Sequence, residues 1–90
     1  MNKYKRSRLE KAINLLGSAS EIISDVKYDE QDSMNNIPEN LQGSDRYSDM
    51  EDAVDNMEDA LDLISEIEDL LEEAVSKINK AIEIVDEAAA

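Results

Sequence analysis

The 90 residues include no cysteine, histidine, phenylalanine or tryptophan. Without cysteine there is no disulfide staple and no thiolate metal site. Without histidine the usual general base and the commonest metal ligand are gone. Three tyrosines are the whole aromatic content, so any core must be built from Val, Ile, Leu, Met and Ala. That suits a helical bundle better than a sheet, whose strands favour β-branched and aromatic residues. Two Gly and one Pro leave little punctuation for turns. Basic residues are scarce too, and the formal net charge is −14.

That charge weighs against direct contact with nucleic acid or an anionic membrane surface, and favours a basic partner. No apolar run approaches membrane-spanning length. The opening MNKYKRSRLEKAINLLG is basic and then apolar, as a secretory signal would be. Glu10, Lys11 and Asn14 interrupt it with helical spacing, so it reads as the start of the mature fold, and a cytoplasmic protein is expected.

What the chain does have is a repeat. From Met50 it reads MEDAVDN, MEDALDL, ISEIEDL, LEEAVSK, INKAIEI and VDEAAA without a gap. Position one of seven is Met50, Met57, Ile64, Leu71, Ile78 and Val85; position four is Ala53, Ala60, Ile67, Ala74, Ala81 and Ala88. Apolar residues at positions one and four form a seam along a helix. Val54, Leu61, Val75 and Ile82 at position five and Leu63, Leu70 and Ile84 at position seven widen it into a bundle-type face. The alanines at position four would let a neighbouring helix approach closely. Ser48 followed by Glu51 is a capping-box pattern, although a start near Ser44, just after Gly43, serves equally. The pattern predicts a helix over about 48–88, about 60 Å long at 1.5 Å per residue.

A second helix is predicted over about 3–33. Leu9, Leu16 and Ile23 recur every seven residues, as do Ala12, Ala19 and Val26, with Ile13, Leu15 and Ile22 broadening the face. Gly17 inside it weakens the helix by about 1 kcal/mol relative to Ala. Between the helices, about 34–47, lies the only turn chemistry. Ile37 precedes Pro38 and is biased toward an extended conformation, while Asn35, Asn36, Asn40 and Gly43 tolerate left-handed geometry. Ile37, Leu41 and Tyr47 are placed to cover the hairpin end. The expected fold is one all-α domain over 1–90, a long antiparallel helical hairpin. A lone hairpin cannot bury two wide apolar faces, so dimerisation into a four-helix bundle is expected. Its seam would be Leu9, Leu16, Ile23, Met50, Met57, Ile64, Leu71, Ile78 and Val85.

Charge is polarised along the chain. Lys3, Lys5, Arg6, Arg8 and Lys11 cluster at the start and Lys77 and Lys80 near the end, whereas Arg46 is the only base between Asp29 and Glu73. One account is structural: the acids form a solvated face, and polar ends pair head to tail to set an antiparallel dimer register. The other is mimicry, in which carboxylates along a rod imitate a nucleic-acid backbone and occupy the basic groove of another protein. The candidate contact residues are Asp45, Arg46, Tyr47, Asp49, Glu51, Asp52, Asp55, Glu58, Asp59 and Asp62, the first three within the connector.

Chemistry is not in evidence. DEQDSMNNIPEN lacks the glycine and acidic spacing of an EF-hand loop, and a di-iron bundle needs Glu-x-x-His motifs. No nucleophile motif surrounds any serine. A non-enzymatic protein without a cofactor or functional metal is expected.

The acidic Asp29–Gln31, then Asn36–Gln42 (NIPENLQ), Ser44–Tyr47 (SDRY) and the heptads together resemble a group of small acidic proteins encoded by bacteriophages and prophages, chiefly of Gram-positive hosts. The resemblance covers about the last two thirds of the chain, with the connector its most specific part. It implies a phage product acting in a bacterial cytoplasm. By analogy with other small phage proteins it implies a blocker of a host protein, a defence factor included. The rival expectation is a structural protein whose role is homo-oligomeric bundling.

Overall fold

The computed structural model describes residues 3–89; Met1, Asn2 and Ala90, at the ends of the predicted domain, lie outside. Two helices make up the fold: α1, Lys3–Asn35, and α2, Asp45–Ala89, joined by a connector with one 3-10 turn at Glu39–Leu41. No strand occurs among the described residues. The helices run antiparallel as an extended hairpin measuring 74 × 15 × 13 Å. Its radius of gyration, 20.7 Å, far exceeds the roughly 12 Å expected of a compact 90-residue domain. This is a rod with one intramolecular seam.

Both helices outrun their predicted ends by two or three residues, for identifiable reasons. Ser44, not Ser48, starts α2: its Oγ accepts from Tyr47 N at 3.3 Å and its carbonyl from Ser48 N at 3.1 Å. The Ser48–Glu51 pair then lies inside the helix. At the end of α1, Asn36 N donates to Asp32 O and Ile37 N to Met34 O, both at 3.1 Å. Pro38, at φ −54 and ψ 142, turns the chain away, and the 3-10 turn follows with Leu41 N donating to Pro38 O at 2.8 Å. No described residue has a positive φ. The left-handed geometry open to the asparagines and Gly43 is therefore unused. Gln42 Nε2 braces the loop by donating to Ile37 O at 3.3 Å. Ile37 and Tyr47 are half-buried there as expected, but Leu41 projects outward with 51% exposure.

The intramolecular seam lies on positions one and five, with part of position four at its margin. In α2 the half-buried or buried large aliphatic residues are Met50, Val54, Met57, Leu61, Ile64, Leu71, Val75, Ile78 and Ile82, at positions one and five, while at position four only Ala60 and Ala74 are half-buried. In α1 they are Leu9, Ile13, Leu16, Ile23 and Met34. Eight of the nine residues expected to join two copies are half-buried in the hairpin's own seam; the ninth, Val85, is 65% exposed near the end of α2. Positions one and five lie only about 40° apart around a helix, so their pairing makes the narrower stripe, suited to a single neighbour. The seam is thin at its middle, where Ser20, Ser24 and Glu68 are half-buried. Only Met34, Val54 and Val75 are buried outright.

Gly17 does not break α1, and a methyl group there would meet nothing within 4 Å.

Candidate functional site

Fixing positions one and five inward determines what every other position does. At 100° per residue, positions two and six of α2 turn to one side of the hairpin, and positions four and seven to the other. Two shallow grooves show that α1 divides the same way. One brings Glu10, Ile13 and Asn14 of α1 beside Glu72, Ser76, Asn79 and Glu83 of α2. The other, near the loop, brings Gln31, Asp32 and Asn35 beside Glu51. The hairpin is therefore a two-helix layer with a polar side that both helices share.

The carboxylates concentrate on that side and on the outer edge of α2. Between Glu51 and Glu73 there are eleven acids and no base. Over about 33 Å of helix this is about one negative charge per 3 Å, close to the 3.4 Å spacing of a single B-DNA strand. Glu73 pairs with Lys77 at 2.9 Å, an exposed i,i+4 contact of small energetic weight. Glu68, at position five, is drawn into the seam instead.

Of the residues predicted to contact a partner, Glu51, Asp52, Asp55, Glu58, Asp59 and Asp62 are all exposed at positions two, three and six. They form one continuous acidic strip along the first half of α2. Asp45, at position three, is exposed at its start, whereas Arg46, exposed at position four, turns to the opposite side. Tyr47 is half-buried at position five and packs toward the seam, and Asp49, at position seven, turns to the opposite side. The first turn of α2 thus spreads these residues over more than one side of the hairpin, because a helix distributes neighbours around its circumference.

The opposite side is apolar and uncovered. On α1 it exposes Leu15 (61%), Ile22 (65%) and Val26 (50%), and on α2 Leu63 (59%), Ile67 (45%) and Leu70 (65%). Position-four alanines run between these rows. The sequence pattern contained this surface but attributed it to the same seam as positions one and five.

The two ends differ as well. Arg6 Nη1 donates to Asn79 Oδ1 at 2.6 Å, which ties the basic start of α1 to the part of α2 carrying Lys77 and Lys80. Arg8 lies 5.5 Å from the Tyr4 ring centroid in the same region. The basic end and acidic loop end expected from an antiparallel hairpin are both present. No group of three or more His, Cys, Asp or Glu arranged to hold a metal occurs among the described residues. No helix among them is long and apolar enough to cross a membrane. Comparison with protein-family models, curated proteins and solved structures finds no match.

Proposed function

We propose that this protein works by binding: its acidic side occupies a basic, nucleic-acid-binding surface of another protein. The observation that carries the reading is the run of acids itself: between Glu51 and Glu73 there are eleven carboxylates and no base, ten of them exposed along one helix and Glu68 half-buried in the seam. A rigid rod holds those charges in place before contact, so little ordering entropy is lost on binding. The resemblance of residues 28–64 to phage and prophage proteins supports a bacterial host factor, such as a defence protein, as the target, met in the host cytoplasm. No catalytic step or cofactor enters this reading.

A second reading, assembly through homo-oligomeric bundling, is favoured by the uncovered apolar side. The two are compatible, since a hairpin that pairs through its apolar side still presents the acidic one. Affinity capture from a bacterial lysate tests the first. One stoichiometric protein, released at moderate salt and displaced by duplex DNA, is the expected result. Recovery of nothing but the bait's own oligomer would leave only the assembly role.

A further inference from the structure

The middle of the apolar side is symmetric, which suits it to a second copy of itself. Position four of α2 reads Arg46, Ala53, Ala60, Ile67, Ala74, Ala81 and Ala88, so its central five residues read the same in both directions from Ile67. Ile67 is also the midpoint of α2, which runs Asp45–Ala89. The Arg6–Asn79 contact and the polar-side grooves set Ile67 level with about residue 19 of α1. Leu15 and Ile22 flank that level on α1, as Leu63 and Leu70 flank Ile67 on α2. In an isologous contact a residue on the axis meets its own copy and its flanking residues exchange partners, an arrangement this central patch fits.

We infer that two copies of this chain pack apolar side to apolar side, antiparallel, about a two-fold axis that crosses both helices near Ala19 and Ile67. This rests on the self-association proposed above and not on what the acidic side binds. In this arrangement α2 lies along the α2 of the second copy. Ile67 meets Ile67 at the axis, alanine meets alanine on either side, and Leu63 meets the other copy's Leu70. The alanines permit the close interaxial distance, about 8 Å, at the lower end of helix packing.

Area and charge support the same occupant. A compact 10.1 kDa monomer exposes about 5,300 Å², whereas the hairpin exposes 6857 Å². The excess, spread over all sides of the rod, is larger than the roughly 800 Å² that each partner contributes to a standard stable interface. Orientation follows from charge. Arg8 and Lys77 stand toward the terminal end of the apolar side, and Asp29 and Asp49 toward the loop end, where Arg46 offsets one of them. Arg8 and Asp29 are each about 15 Å along the rod from the level of residue 19, in opposite directions. The antiparallel axis therefore brings Arg8 to the level of the second copy's Asp29. A parallel pair would stack like charge on like.

The absence of cysteine makes a direct test possible. Ile67→Cys and Ser65→Cys are prepared separately, the second on the polar side, and each is equilibrated in glutathione buffer while helicity is followed by circular dichroism. The expected result is a disulfide-linked species of twice 10.1 kDa from Ile67→Cys, at least about tenfold more abundant than from Ser65→Cys, since helices packed at about 8 Å bring facing Cα atoms within disulfide reach. Sedimentation of the unmodified chain separates the possible failures. A helical monomer overturns self-association and this geometry together. A dimer in which Ile67→Cys fails to link, while a mixture of Ala19→Cys and Ile67→Cys does, overturns the antiparallel axis alone.

Discussion

The two sides of this hairpin are made by the same two helices, yet they pose opposite physical problems. The polar side carries so many carboxylates that its neighbours repel one another, and it gains from a basic partner. The apolar side leaves Ile22 and Leu70 each 65% exposed, and it gains from any surface that excludes water. Neither side alone makes a stable, purposeful molecule. Among the described residues only three side chains are buried outright, so covering the apolar side would add to stability, and a covered rod would still display its acidic strip. The contrast teaches that folding and binding need not compete for the same residues in a two-helix layer.

The contrast can be broken most severely at its apolar centre. Ile67→Glu sets two carboxylates against each other at the inferred axis, and desolvating them costs several kcal/mol. Dimer affinity should fall by about 100-fold or more, since each tenfold is about 1.4 kcal/mol, and the mass from sedimentation should move toward that of the monomer. Next in size is Glu58→Lys with Asp62→Lys, which reverses charge at two exposed polar-side positions. Capture of a basic partner should weaken by at least about tenfold, while helicity and mass stay as they were. A smaller effect is expected from Gly17→Ala on α1. Because the added methyl meets nothing, it should stabilise the fold by about 1 kcal/mol and raise Tm by about 4–8 °C. Least of all, Ser44→Ala removes the cap of α2 and should cost about 0.5 kcal/mol in chemical denaturation. The last two variants should leave partner capture unchanged, which would separate fold stability from the acidic strip.

The hairpin was legible in the sequence because two heptad patterns flank a single Pro-containing connector, and little else fits that arrangement. The seam register was not. Apolar residues in α2 occupy positions seven, four, one and five, an arc of about 160°, and α1 covers only part of it. Which part depends on the partner helix, whose inward Leu9, Ile13 and Leu16 stripe is equally ambiguous in the letters. The capping choice between Ser44 and Ser48 was open for a similar reason: both precede plausible first turns, and the hydrogen bond to Tyr47 N decides it. Of the acidic strip, Glu51 to Asp62 could be read directly, since exposed carboxylates follow from the repeat. Tyr47 and Asp49 could not be sorted until the inward positions were known.

Two chemically distinct sides, one for self-association and one for a partner, form the central claim. Its most direct test is the mass of the full chain by sedimentation equilibrium, with helicity read on the same samples, from about 0.01 M to about 0.15 M salt. Over that range the screening length falls from about 30 Å to about 8 Å. The account predicts a helical dimer of twice 10.1 kDa that holds or tightens as salt rises, because apolar contact joins two chains of net charge −14. A fully helical species of 10.1 kDa at every salt concentration would contradict it.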